Sequence, residues 1–133
     1  MSCSSSVPEI PSFIAVVDDD ESMCQALSRL LSVAGHVVRT YFSAEAFLDD
    51  PEHHHAQFVV ADIQLRGMSG FDLQRKFHKK NPAVPFAFIT AHDEAETRAQ
   101  AKASGCVAYL RKPFPGSKLL EVIEKHTNEP EIN

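Results

Sequence analysis

The segment Phe13-Ile14-Ala15-Val16-Val17-Asp18-Asp19-Asp20 joins a short apolar run to three consecutive carboxylates. A short run that is apolar throughout is typical of a strand buried on both faces of a parallel sheet. From Glu21 the pattern changes, because apolar residues recur at helical spacing until Gly35, which is placed to end the helix. This segment and the residues that follow it therefore predict a strand, an acidic loop and a helix.

The same strand-then-helix unit recurs along the chain. Strands are predicted to start near positions 13, 36, 57, 85 and 106, and a helical pattern follows each of them. Connections long enough to hold helices indicate a parallel sheet that is covered on both sides. We therefore predict a three-layer, doubly wound α/β fold with a five-stranded parallel sheet over residues 13–127. A flexible leader (1–12) is expected before it and a polar tail (128–133) after it.

The helix predicted over residues 94–104 differs from the others, because its apolar side consists of alanines alone. Small side chains bury little area, so we expect this helix to be loosely held. Asp93, three residues before Glu96, is predicted to form a capping box at its start.

Composition narrows the class of protein. The 133 residues suit one domain, and 13 Lys and Arg against 18 Asp and Glu give a formal charge of −5. An acidic balance disfavours nucleic-acid binding, and no apolar run approaches the roughly 18 residues of a membrane span. Cys3, Cys24 and Cys106 are odd in number and far apart, which indicates free thiols in a reducing compartment. We expect a soluble, cytoplasmic domain.

Charged and hydroxyl side chains follow four of the predicted strands. Asp18 and Asp19 follow the first strand and Asp62 ends the third. Thr90 ends the fourth strand, and Lys112 lies just beyond the fifth. Ligands of open parallel sheets bind outside the carboxyl ends of the strands, so we expect these five side chains to share one site.

Three carboxylates in one pocket must either retain a proton or bind a cation. A donor set made only of oxygens favours a hard ion, and Mg²⁺ is the best candidate. Mg²⁺ and Lys112 would attract a phosphoryl group, which an aspartate can accept as an aspartyl phosphate. Asp62 is the best candidate for the nucleophile, because it stands alone on a central strand.

Other side chains have simpler interpretations. Asp20 is expected only to cap the first helix. Thr90 alone would be a structural strand residue and Lys112 alone a surface lysine. The run His53-His54-His55 is interpreted as solvated loop, because adjacent histidines in a loop rarely point the same way.

Taken together, these residues resemble the receiver domain of two-component response regulators, from about Phe13 to Lys125. The resemblance rests on several short motifs at characteristic intervals: Asp18-Asp19, Asp62 with Gly70, Thr90-Ala91, and Gly105 through Tyr109 to Lys112-Pro113-Phe114. It implies the flavodoxin-like strand order 2-1-3-4-5.

The resemblance also implies a role for each matching residue. Asp62 would accept the phosphoryl group from the phosphohistidine of a sensor histidine kinase or phosphotransfer protein. Asp19, Asp62 and the main-chain carbonyl of Gln64 would hold Mg²⁺, with Asp18 acting largely through water. The residues implied in phosphoryl binding and switching are Thr90, Tyr109, Lys112 and Pro113, with a cis bond before Pro113.

Phosphorylation would then be reported to a partner. The resemblance implies that Tyr109 swings inward and that the face made by the fourth helix, fifth strand and fifth helix signals to an output domain or downstream protein. Phosphorylation-linked homodimerisation is a further implied partnership. The domain would be a phosphoacceptor with at most slow self-dephosphorylation, not an enzyme, and it would contact neither nucleic acid nor membrane directly.

The sequence departs from the family at two positions. Leu65 and Arg66 stand where the family usually has Met-Pro, which frees the backbone of the loop and places a cation near the pocket mouth. Separately, the run from Phe42 to Leu48 resembles receivers that precede a LuxR-type helix-turn-helix domain.

Two other functions compete with this hypothesis. A phosphatase of the haloacid dehalogenase type also combines Asp, Thr and Lys at a sheet edge, but it places Asp-x-Asp on the first strand. A pseudo-receiver would bind partners without phosphorylation, and the intact acid set with Lys112 argues against it.

Overall fold

The protein is described by a computed structural model that covers residues 11–127. The proposed tail and nearly all of the proposed leader, with Cys3, lie outside this range. The strands are β1 (Phe13–Val17), β2 (Val38–Tyr41), β3 (Ala56–Asp62), β4 (Phe86–Thr90) and β5 (Ala108–Arg111). The helices are α1 (Glu21–Val33), α2 (Ala44–Asp49), α3 (Gly70–His78), α4 (Ala95–Ser104) and α5 (Gly116–Thr127).

The five strands form one parallel sheet in the order β2-β1-β3-β4-β5. This confirms the predicted doubly wound α/β class and the strand order implied by the resemblance. β2 and β5 begin at Val38 and Ala108, slightly later than predicted, because each begins where it meets its neighbour: Val38 pairs with Ile14 and Ala108 with Ala87.

The sheet separates two apolar cores. Phe13, Ala15 and Val17 of β1 face one core, which Phe47 of α2, Leu73 and Phe77 of α3, and Ala101 of α4 complete. Ile14 and Val16 face the other core, which is completed by Cys24, Leu27, Leu31, Leu119 and Ile123 of α1 and α5. Because successive side chains of a strand point to opposite faces, an apolar run such as β1 serves both cores at once.

Side chains cap α1, as predicted, and α2, but α4 begins differently. Asp20 accepts hydrogen bonds from the backbone N–H groups of Ser22 and Met23, and Ser43 accepts one from Ala46. The predicted capping box of Asp93 and Glu96 is wrong: the residue before α4 is Glu94, and its side chain makes no capping hydrogen bond.

Two further predictions concern the packing of α4 and the run His53–His55. α4 buries only Thr97 and Ala101, which is the sparse packing expected of an alanine-rich helix. His53–His55 form a single 3₁₀ turn, in which the His53 ring packs against Phe47 and Phe77. His53 therefore belongs partly to the core and is not simply solvated loop.

Within residues 11–127, no helix has the length and apolar character that crossing a bilayer demands.

Candidate functional site

The carboxyl edge of the sheet gathers the side chains singled out in the sequence. Asp18 follows β1, Asp62 and Thr90 are the last residues of β3 and β4, and Lys112 follows β5. Asp18, Asp62 and Thr90 are buried. β1 and β3 are neighbours although α1, β2 and α2 separate them in the chain, so the site lies where the strand order reverses.

Lys112 bridges two of the carboxylates. Its Nζ donates hydrogen bonds to Asp62 Oδ2 at 2.8 Å and to Asp18 Oδ2 at 2.9 Å. The Lys112 side chain is 15% exposed, whereas those of Asp18 and Asp62 are 0% and 9% exposed. The main chain positions this lysine, because its N–H donates to the carbonyl of Thr90 at 2.7 Å. The Lys112–Pro113 bond is cis, as the resemblance implied.

For both Asp18 and Lys112, burial and ion pairing shift the pKa in opposite directions. Loss of solvent raises the pKa of Asp18, although the N–H of Asp20 and the Lys112 ammonium partly offset this effect. Burial acts to lower the pKa of Lys112, but its hydrogen bonds to Asp62 and Asp18 outweigh burial and raise it. The lysine therefore remains an ammonium at neutral pH, fixed between two carboxylates.

The three aspartates offer a set of metal ligands. One carboxylate oxygen from each of Asp18, Asp19 and Asp62 lies within 4.8 Å of the others. Oxygen donors of this kind suit a hard divalent cation. Asp18 Oδ1 and Asp62 Oδ1 accept hydrogen bonds from the backbone N–H groups of Asp20 and Gln64 at 2.9 and 2.8 Å, which fixes both carboxylates.

Both residues of the loop after β3 that depart from the family make contacts in the structure. Leu65 is buried in the first core. Arg66 donates its backbone N–H to Asp19 Oδ2 at 3.3 Å, a bond that a proline at this position cannot make. The Arg66 guanidinium is almost fully exposed and lies 3.7 Å from the same oxygen, so its own attraction to Asp19 is weak.

Gly70 fits a position where the backbone passes close to the end of β3. A Cβ atom at Gly70 would lie 2.5 Å from the carbonyl oxygen of Asp62 and 3.0 Å from the Cα of Ile63. Such contacts are too short for any other residue without movement of the main chain. The close approach of the backbone therefore explains why a glycine occupies this position, which is part of the motif behind the resemblance.

Three hydrogen bonds in and beside the site were not anticipated from the sequence. Thr90 Oγ1 donates to Gln64 Oε1 at 2.6 Å. The Tyr109 hydroxyl donates to Asp93 Oδ1 at 3.0 Å, and Arg98 of α4 donates to the same oxygen at 2.8 Å. Asp93 thus binds Arg98 and Tyr109, which explains why it does not cap α4.

The polar groups around Tyr109 shift the pKa values of one another. The Arg98 guanidinium holds the pKa of Asp93 below its usual range, with a smaller contribution from the Tyr109 hydroxyl. Burial, followed by the hydrogen bond to Asp93, raises the pKa of Tyr109. Tyr109 is half-buried and is linked through Asp93 to α4, while Thr90 lies at the site itself.

The fold and the site together define a flavodoxin-like α/β domain with an acidic, lysine-bearing site at its switch point. The family model of the response regulator receiver domain matches residues 14–124, and the chain belongs to that family. It is therefore a receiver domain of a two-component system, as the resemblance implied.

Relatives and solved structures agree with this assignment. The chain is 32% identical over 130 residues to response regulator protein TmoT of Ectopseudomonas mendocina, covering 92% of this chain and 59% of TmoT. It is 33% identical over 112 residues to transcriptional regulatory protein TdiR of Thauera aromatica, covering 84% of this chain and 49% of TdiR. The chain thus spans less than two thirds of these relatives.

Solved receiver domains share the whole fold. A receiver domain protein (CheY-like) from Methanospirillum hungatei JF-1 matches with a TM-score of 0.79 and 28% identity, over 87% of this chain and 93% of that one. The BeF3-activated DrrB receiver domain matches with a TM-score of 0.81 and 28% identity, over 90% of this chain and 100% of that one.

Proposed function

We propose that Asp62 accepts a phosphoryl group from the phosphohistidine of a sensor histidine kinase or phosphotransfer protein. The observation that carries this proposal is the Lys112 ammonium, which is hydrogen-bonded to both Asp62 and Asp18 at the carboxyl edge of the sheet. An ammonium held beside a carboxylate nucleophile can pair with the oxygens of an incoming phosphoryl group.

The transfer makes one bond and breaks another. A carboxylate oxygen of Asp62 attacks phosphorus, the phosphorus–nitrogen bond of the phosphohistidine breaks, and the imidazole leaves with the bonding electrons. Lys112 compensates charge on the phosphoryl oxygens. The backbone N–H of Gln64, which donates to Asp62 Oδ1, orients the nucleophile.

Mg²⁺ fits the donor set and belongs to the proposal. Asp19, Asp62 and the main-chain carbonyl of Gln64 would hold the ion, and Asp18 would act largely through water. When bound, Mg²⁺ neutralises negative charge on the phosphoryl oxygens. Asp18 and Asp62 accept hydrogen bonds from fixed main-chain N–H groups, so these ligands need little rearrangement.

We further propose that Thr90, Tyr109, Lys112 and Pro113 carry the response to phosphorylation. Thr90 turns its hydroxyl to the phosphoryl group, and Tyr109 moves inward. Tyr109 is bonded to Asp93, which binds Arg98 on α4, so movement of the tyrosine is linked to that helix. The face formed by α4, β5 and α5 then presents the change to a partner.

The partner is an output domain or a downstream protein. Support comes from the relatives, which extend well beyond the region that this chain covers, and several of which are named as transcriptional regulators. In this proposal the domain works in the cytoplasm and contacts neither DNA nor membrane itself. It acts as a phosphoacceptor with at most slow self-dephosphorylation, and a phosphorylation-linked homodimer is a further form.

Titration with fluoroberyllate, a phosphoryl analogue, and Mg²⁺ tests the proposal. We expect amide resonances of Thr90, Tyr109 and α4 to shift in the wild type and to stay unchanged in Asp62→Asn. Asp49→Asn is the matched control, because Asp49 is exposed at the end of α2, and it should respond like the wild type. A wild-type spectrum that does not change, or an Asp62→Asn spectrum that changes equally, would contradict the proposal.

A further inference from the structure

The hydroxyl proton of Thr90 is already bound by another side chain. Thr90 Oγ1 donates to Gln64 Oε1 at 2.6 Å, and the carbonyl of His92, at 3.2 Å, is the longer alternative acceptor. The backbone N–H of His92 donates to the same oxygen at 3.0 Å. A hydroxyl has a single proton, so Thr90 cannot donate to a new acceptor while Gln64 holds that proton.

The main chain is held at Gln64 and at the residue before it. Its N–H donates to Asp62 Oδ1 at 2.8 Å, and the N–H of Ile63 donates to the carbonyl of Ile89 in β4 at 3.0 Å. The Gln64 side chain therefore spans from the end of β3 to the end of β4. Thr90 is fully buried whereas Gln64 is exposed, so the glutamine supplies an acceptor where the threonine has little access to water.

We propose that Gln64 is a positioning residue whose side-chain carbonyl retains the Thr90 hydroxyl in the unphosphorylated protein. The proposal rests on the proposed function, in which Thr90 donates to the phosphoryl group. A ligand that recruits the Thr90 hydroxyl must first displace it from Gln64. The bond to Gln64 thus lowers the apparent affinity for that ligand, because only part of the population is free to respond.

The variant Gln64→Met tests this role. Methionine keeps the length of the side chain and the main-chain carbonyl, but its thioether is a weak acceptor. One net hydrogen bond corresponds to about a fivefold change in an equilibrium constant, so Gln64→Met should bind fluoroberyllate with Mg²⁺ about fivefold more tightly than the wild type. Gln25→Met, at an exposed glutamine of α1, should leave the affinity unchanged.

A double-mutant cycle assigns the effect to the threonine hydroxyl. Thr90→Val removes that hydroxyl, so in this background Gln64→Met should change the affinity by less than about twofold. An equal effect of Gln64→Met in both backgrounds would overturn the proposal, because the glutamine would then act through something other than Thr90. If Gln64→Met alone, with Thr90 retained, binds fluoroberyllate more weakly than the wild type, the proposal is overturned as well.

A measurement on the unphosphorylated protein separates failure of this inference from failure of the proposed function. Three-bond couplings report the χ1 rotamers of Thr90, and we expect one rotamer in the wild type and a second populated rotamer in Gln64→Met. An unchanged single rotamer in Gln64→Met overturns the inference, whether or not fluoroberyllate binds. Absence of fluoroberyllate binding to the wild type counts against the proposed function, and the couplings still decide the role of Gln64.

Discussion

Removal of the Lys112 ammonium should destabilise the protein strongly, and the loss should depend on pH. Lys112→Met replaces the group that donates to Asp18 and Asp62 and leaves two carboxylates that are less than one tenth exposed. Removing one partner of a buried ion pair costs about 3–5 kcal/mol. Proton uptake limits that cost, since protonating a carboxyl of ordinary pKa, about 3.9, at pH 7 costs roughly 4 kcal/mol.

These two figures give an expected loss of about 3–4 kcal/mol in the free energy of unfolding at pH 7 without divalent cations. The folded variant then binds one more proton than the unfolded chain, so its stability relative to the wild type rises as pH falls. The slope for one extra proton is about 1.4 kcal/mol per pH unit. Mg²⁺ should stabilise the variant more than the wild type, because no ammonium competes for the carboxylates.

Urea unfolding of Lys112→Met and wild type between pH 5 and pH 8, with EDTA and with Mg²⁺, measures these effects. Lys118→Met is the control, because Lys118 is an exposed lysine of α5, and its loss should stay within about 0.5 kcal/mol. If Lys112→Met loses no more stability than this control, or if its loss is the same at every pH, the reasoning about the buried carboxylates is refuted.

Three further predictions concern other elements of the fold. Gly70→Ala should cost about 1–3 kcal/mol in thermal or urea unfolding, because its Cβ would meet main-chain atoms, and more than Gly116→Ala, whose Cβ meets only a leucine side chain. Tyr41→Phe removes a 2.6 Å hydrogen bond to Asp50 that lowers the pKa of that carboxyl. A lowered pKa stabilises the folded state at pH values above the pKa of the unfolded chain, and this stabilisation is lost in acid. Tyr41→Phe should therefore lower the free energy of unfolding by roughly 1 kcal/mol at pH 7 and by little below pH 3. An equal loss at both pH values would contradict this reasoning. Amides of α4 should exchange with solvent faster than those of α1 and α5, and uniform protection of the three helices would show that α4 is held as firmly.

The sequence was sufficient for the sheet and for the residues at its edge. Apolar runs such as Phe13–Val17 mark strands buried on both faces, and parallel strands end at the same edge of the sheet. The meeting of Asp18, Asp62 and Lys112 follows from these two facts without any knowledge of distances. The family resemblance added the strand order, which periodicity alone does not specify.

The sequence was insufficient where a side chain had a choice of partners. Asp93 precedes Glu96 at the spacing of a capping box, but Arg98, five residues after Asp93, binds the carboxylate instead. The bond between Gln64 and Thr90 joins a loop to a strand end 26 residues away, so it depends on the path of the loop. Local patterns give the available hydrogen-bonding groups, and tertiary geometry selects between them.

The most direct test of the central claim is the intact mass of the protein after incubation with acetyl phosphate and Mg²⁺. We predict one phosphoryl adduct on the wild type, released by hydroxylamine as expected of an acyl phosphate, and none on Asp62→Asn. An adduct of equal yield on Asp62→Asn would contradict Asp62 as the acceptor. A wild type that gains no adduct, either from acetyl phosphate or from a phosphorylated histidine phosphotransfer protein, would contradict phosphoryl transfer to this domain.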